Sequence, residues 1–334
     1  MEPILVAVVA IALIFDYTNG FHDAANAVAT SISTRAVPPN VALAGAAVLN
    51  VVGAMISTHV AATLAGGIVE ASAVTSPVML GGLVGAIGWN LLTWWWALPS
   101  SSSHCLIGGT AGAVLATAGA DSVKWKGILD KVLVPTLAAP LIGFAMGILI
   151  MLALLWIFRR AHPGPLNRRF RVAQLFSASL MAFSHGSNDA QKTMGVITLA
   201  LFAGGAIPSL EVPLWVKLVS ALAIGLGTYA GGKRIIRTLG MRLVKLSPVH
   251  GFAAETSASA VLLGAAYMGF PISTTHVITT SVMGVGATQR LSAVKWGLSV
   301  NILVAWLVTL PAAALMGALC ARIALAITGS PAAH

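Results

Sequence analysis

Apolar stretches long enough to cross a bilayer follow one another along almost the whole chain. They lie near 3–19, 40–66, 78–98, 104–120, 127–158, 172–203, 213–231, 250–270, 272–289 and 295–327, with short polar connections between them. About 20 apolar residues span the hydrocarbon as a helix, and backbone facing lipid is satisfied only in helices or closed barrels. A barrel would show short segments of alternating polarity, and none are visible. With 57% hydrophobic and 8% charged residues among 334, and a mean hydropathy of +0.91, the chain has too little polar surface for a soluble globule. The sequence therefore predicts an all-α polytopic membrane protein of the cell membrane. It has 10 units, or 12 segments if the over-long 127–158 and 295–327 divide near Pro135, Pro140 and Pro311.

A formal charge of +10 raises the possibility of nucleic acid, but its distribution argues against that partner. Of 19 Lys and Arg, five lie in Arg159–Arg171 and five in Lys233–Lys245, short connections between apolar units. They read as cytoplasmic anchors touching lipid headgroups. The start Met1-Glu2-Pro3 has no basic leader, so the first apolar stretch is expected to stay as an uncleaved span. Two cysteines, Cys105 and Cys320, imply neither a disulfide framework nor a cysteine-based zinc site, and no cofactor is expected.

The halves repeat one another. Gly20-Phe-His-Asp23 and Gly186-Ser-Asn-Asp189 share a three-residue step from Gly to Asp, and Pro99-Ser-Ser-Ser-Ser-His104 matches Pro271-Ile-Ser-Thr-Thr-His276. Val123-Lys124-Trp125 matches Val294-Lys295-Trp296, and Pro140 lies as far past Trp125 as Pro311 past Trp296. A recurring order of this kind is an internal duplication. Expected boundaries are 1–158 for the first repeat, 159–171 for a basic cytoplasmic hinge loop and 172–334 for the second repeat. If both basic connections are cytoplasmic, five crossings per half give the halves opposite orientation, an inverted-topology repeat. Lys124, Lys126 and Lys131 then fall outside, against the charge rule and only partly offset by Asp121 and Asp130.

Polar islands interrupt the apolar units. One runs Asp16 to Asn26, another His185 to Lys192. Glycine beside polar residues suggests broken helices or re-entrant hairpins there, with half-helices after Gly20 and Gly186. Ionisable residues at membrane depth mark pathways, relays or ligand contacts. Asp23 and Asp189 read as a cation site, with Asn26 and Asn188 as neutral co-ligands; carboxylate and amide oxygens suit Na⁺, and a buried carboxylate also carries H⁺. The competing reading is a pair of helix-packing carboxylates. Ser101, Ser102 and Ser103, with Ser273, Thr274 and Thr275, precede helical stretches, where backbone N–H groups welcome an oxyanion or merely receive caps. Lys192 either attracts an anion or pairs with Asp189, and Gln191 stands beside it. His22, His104, His185 and His276 read as orienting groups or proton carriers. Glu255 is a further acid at membrane depth, a candidate for coupling. Asp16, Asn50, His59 and Asn90 carry weaker signals, and Trp94–Trp96 suggest an interfacial belt.

Gly20-Phe-His-Asp23-Ala-Ala-Asn26-Ala, His185-Gly-Ser-Asn188-Asp189 and Pro271-Ile-Ser-Thr-Thr-His276 closely resemble the paired signatures of the inorganic phosphate transporter (PiT) family. The likeness covers both halves. It implies secondary transport of inorganic phosphate by symport with H⁺ or Na⁺, with Asp23 and Asp189 essential, Ser101 and Ser273 as the loop serines, phosphate buried between the repeats, and a homodimer. Two departures stand out: the first loop reads Ser100-Ser-Ser-Ser, and Lys192 stands where many relatives carry Asn. Lys192 leans the expectation toward H⁺, or toward a metal–phosphate complex, over Na⁺; with Na⁺, Asp23 and Asp189 would be metal ligands.

The resulting expectation is alternating access around a midplane site. Phosphate is held by Ser101–Ser103, Ser273–Thr275, Asn188, Gln191 and Lys192, and the coupling cation by Asp23, Asn26, Asp189 and Glu255. A sulfate permease of the same fold is the nearest alternative, followed by an intramembrane metal-dependent hydrolase built on His22, Asp23, His185 and Asp189, and by a passive anion channel.

Overall fold

The computed structural model describes residues 2–329, which are almost wholly helical, with one isolated bridge between Val69 and Val123. The first half contains α1 (Pro3–Ser33), α2 (Pro39–Ala54), α3 (His59–Gly67), α4 (Ser76–Trp95) and α5 (Ser102–Ala118). It ends with α6 (Trp125–Ile128), which passes through a π-turn at Leu129–Leu133 into α7 (Val134–Ile157). The second half contains α8 (Pro163–Ala203), α9 (Leu214–Ala230), α10 (Lys233–Arg237), α11 (Pro248–Tyr267), α12 (Thr274–Gln289) and α13 (Trp296–Thr328). Prolines open several of these helices, where their missing N–H is no loss; α2 and α11 begin on Pro39 and Pro248.

The elements correspond in order: α1 with α8, α2–α3 with α9–α10, α4 with α11, α5 with α12, and α6–α7 with α13. Both bent pairs turn sharply, by 67° between α2 and α3 and by 63° between α9 and the segment Arg234–Arg242. Each long final helix opens in the same way. Trp125 Nε1 donates to Ala120 O at 3.0 Å, and Trp296 Nε1 donates to Leu291 O at 2.8 Å. The packing is reciprocal as well. Helix α1 lies on α9 and α8 on α2, while α13 lies on α4 and α5 and α7 on α11 and α12. Contacts that pair each half with the other in this way bring the centres of α1 and α8 together with the starts of α5 and α12.

Three expectations are corrected. Helices α1 and α8 run unbroken through Gly20 and Gly186. These glycines serve helix crossing instead: a Cβ at Gly20 would collide with Ile224 O of α9, and one at Gly186 with the Asn50 backbone of α2. Gly227 and Gly53 make the reciprocal approaches, against Tyr17 O and Phe183 O. The basic connection is shorter than 159–171, because α8 begins at Pro163. Neither Pro140 nor Pro311 divides its helix, so Trp125–Ile157 and Trp296–Thr328 are single spans of 33 residues.

Among the described residues four helices are long and apolar enough to cross a membrane, or six with each bent pair as one span. The 10–12 segments expected are not reached by this measure. The reason is physical: α5 and α12 have only 17 and 16 residues, and α8 and α11 carry the buried polar groups. Large apolar side chains such as Leu137, Leu141, Leu307 and Leu315 stand exposed along α7 and α13, a surface that fits lipid rather than water.

Candidate functional site

Serines start the two short helices. Ser101 Oγ accepts from the His104 backbone N–H at 3.2 Å, and Ser273 Oγ accepts from that of His276 at 3.3 Å. Both hydroxyls are thus engaged as N-caps. The next amides, of Ser102, Ser103, Thr274 and Thr275, lie in the first helical turn, where no intrahelical acceptor exists. The two loops approach each other: His104 and His276 rings are 5.0 Å apart, and Ser103 Oγ lies 3.3 Å from Ile272 O. Trp306 of α13 stacks on His276 at 3.9 Å and donates to Pro99 O at 2.9 Å, holding both loops in place.

Asp23 and Asp189 come from the middles of α1 and α8 and meet at these loops. One carboxylate oxygen from each and a ring nitrogen of His185 all lie within 4.8 Å of one another, and all three residues are buried. Two threonines of α12 bridge the acids. Thr274 Oγ1 donates to Asp189 Oδ2 at 2.9 Å, and Thr275 Oγ1 lies 3.5 Å from Asp23 Oδ1. Asn26 Nδ2 donates to both threonines, at 3.2 and 2.8 Å. Its Oδ1 is buried with no partner, as is that of Asn188, whose Nδ2 points to Phe270 O at 3.4 Å. Buried amide oxygens without donors, beside carboxylates, are suited to a cation.

The acids differ in their neighbours. Asp23 Oδ1 lies 2.6 Å from His22 Nδ1. Asp189 has an internal counter-charge: the Lys192 ammonium donates to its Oδ1, to Ser103 Oγ at 2.5 Å and to Ile272 O at 2.8 Å. Lys192 is 1% exposed, among the largest fully buried side chains. His185 Nε2 lies 3.1 Å from Asp189 Oδ2 but is not aligned for a hydrogen bond. Its Nδ1 is 3.1 Å from Asn50 Oδ1, and Asn50 in turn donates to Thr228 at 2.7 Å. Ser102 Oγ donates to Asn90 Oδ1 at 3.0 Å.

Two expected site residues stand elsewhere. Gln191 Oε1 accepts from Val60 N at 2.9 Å while its Nε2 donates to Ser187 O, so its amide ties the start of α3 to α8. Glu255 accepts from Thr30 at 2.6 Å, Gln174 at 3.0 Å and Ser177 at 2.5 Å. Ser177 precedes Asp189 by 12 residues of one helix, about 18 Å at the α-helical rise. Glu255 therefore belongs to a separate polar cluster between α1, α8 and α11. Sequence reasoning gave Asn50, which meets His185, only a weak signal and did not find Thr228, which accepts from Asn50, or Trp306, which braces the loops; none lies in a repeated polar string.

Comparison with known proteins shows the family. Residues 19–169, and again 159–317, match the phosphate transporter family. The chain belongs to that family. It is 48% identical over 320 residues to a Rhizobium meliloti protein named "probable low-affinity inorganic phosphate transporter", covering 95% of this chain and 96% of that one. A protein of the same name from Bacillus subtilis is 43% identical over 317 residues, covering 94% and 95%. One from Mycobacterium tuberculosis H37Rv is 50% identical over 321 residues, covering 94% of this chain and 76% of its own. A solved structure titled "The sodium-dependent phosphate transporter" superposes with a TM-score of 0.83 at 26% identity, covering 97% of this chain and 99% of that one. The chain is thus a multi-pass phosphate transporter of the cell membrane and not an enzyme, which removes the hydrolase alternative.

Proposed function

We propose that the chain accumulates inorganic phosphate by cation symport, through alternating access of one site between two inverted repeats. The observation that carries this reading is the convergence of Asp23, Asp189 and both hydroxyl loops in one buried centre. Phosphate is bound by the first-turn amides of α5 and α12, with Ser102, Ser103, Thr274, Thr275 and Asn188 around it. The coupling cation binds at Asp23 with the free oxygen of Asn26. In the other half Lys192 already supplies a positive charge at Asp189.

Coupling follows from electrostatics. An anion buried beside an unneutralised carboxylate costs several kcal/mol in a medium of low dielectric, so neither ion enters cheaply without the other. A carboxylate at the site also favours phosphate over sulfate, because phosphate still carries a proton to donate and sulfate does not. The low-affinity phosphate transporters among the relatives and the sodium-dependent structural neighbour support this reading. H⁺ is the favoured coupling ion, since the buried ammonium of Lys192 already occupies the oxygens of the Asp189 half, so a Na⁺ ion at Asp23 could not draw on them to complete its shell.

Radiolabelled phosphate uptake into proteoliposomes, with H⁺ and Na⁺ gradients imposed separately and sulfate as competitor, tests it. Accumulation driven by the proton gradient and indifferent to sulfate is expected. Flux that only equilibrates under both gradients would leave a passive channel.

A further inference from the structure

Asp16 lies seven residues before Asp23 on α1, about 10 Å along the helix and close to the same face. It is 0% exposed, and both its carboxylate oxygens are buried without a hydrogen-bond partner. Its surroundings are equally unsatisfied. Asn19 and Thr193 stand beside it, but neither makes an aligned hydrogen bond to it, and Asn19 Oδ1 and Thr193 Oγ1 are themselves buried without partners. Glu255 shows how this protein treats a carboxylate that is simply part of the framework, with donors from Thr30, Gln174 and Ser177. Asp16 has none of that provision.

We propose that Asp16 is a second ion site of this transporter and that its ligand is a proton, a reading that rests on the symport proposed above. A deprotonated carboxylate without donors in a dry interior is the costliest state of this side chain, and a proton is the one cation that removes the charge without a coordination shell. A metal ion would need several oxygens beyond those that Asn19 and Thr193 supply beside it. The charged groups facing Asp16 are Asp189 and Lys192 of α8. Helices α2 and α4 also pack on α1 and carry no ionisable residue. On α9, Lys217 donates to Met55 O and Tyr229 is exposed. Asp16 therefore senses the central site through the Asp189–Lys192 pair. It takes a proton onto one carboxylate oxygen from the side of entry and returns it on the other side, so the carrier ends the cycle unchanged.

The test separates phosphate movement from proton coupling. In proteoliposomes, Asp16→Asn should keep phosphate exchange without a gradient within about twofold of wild type, and lose proton-driven accumulation by about tenfold or more. Asp16→Glu, which restores a carboxyl group, should accumulate phosphate with a displaced pH profile. Accumulation by Asp16→Asn equal to wild type, parallel loss of exchange and accumulation, or an unshifted profile in Asp16→Glu would each overturn the proposal. Wild-type accumulation driven by Na⁺ alone would overturn it too. Failure of wild type under both gradients is a different result: it removes the symport reading itself.

Discussion

The two halves of the site start from the same pattern and end with different electrostatics. Three residues after Asp23 stands Asn26, whose amide reaches Thr274 and Thr275 and leaves one oxygen free. Three residues after Asp189 stands Lys192, whose ammonium reaches Ser103, Asp189 and Ile272 O. Thr275 and Ser103 hold corresponding places in the two hydroxyl loops. One half thus presents a carboxylate and an unfilled oxygen, and the other carries its own cation. In the proposed site, phosphate faces one negative charge that needs a mobile partner and one that does not.

Making the second half resemble the first gives the largest effect. Lys192→Asn leaves Asp189 buried without its counter-charge, a change of the kind that costs about 3–5 kcal/mol. Uptake should fall by about tenfold or more in choline medium and recover in part when Na⁺ replaces choline, because the vacated oxygens can then hold that ion. Uptake equal to wild type in both media would show that the ammonium is dispensable. A much smaller effect is expected outside the site. Gln191→Ala removes the ties to Val60 and Ser187, so thermal unfolding should show a loss of about 1 kcal/mol for each lost hydrogen bond while proton-driven uptake stays near wild type. A large loss of uptake without loss of stability would return Gln191 to the phosphate site.

Much of this was legible in the residues. Asp23, Asp189, Asn26 and the Ser/Thr loops occur as repeated strings, and polar strings in an apolar chain have few reasons to exist. Gly20 and Gly186 were legible as special but not in kind. A glycine that breaks a helix and one that lets another backbone approach look alike in sequence, and only the crossings with α9 and α2 decide between them. Gln191 and Glu255 were misplaced for a related reason. Their partners, Val60 for one and Thr30 with Gln174 and Ser177 for the other, are distant in sequence and carry no motif of their own. Asp16 gave only a weak signal because its distinguishing property is the lack of donors around it, which no local pattern records.

The central claim is that the mobile cation belongs to the Asp23 half. The direct measurement compares Asp23→Asn and Asp189→Asn in the same vesicles, reading phosphate exchange and proton-driven accumulation for each. Asp23→Asn is expected to keep exchange and lose accumulation, since a neutral amide stands where the cation would bind. Asp189→Asn is expected to lose both, because a buried ammonium left without its carboxylate destabilises the site and holds phosphate in place. Identical behaviour of the two variants, or accumulation that survives Asp23→Asn, would contradict it.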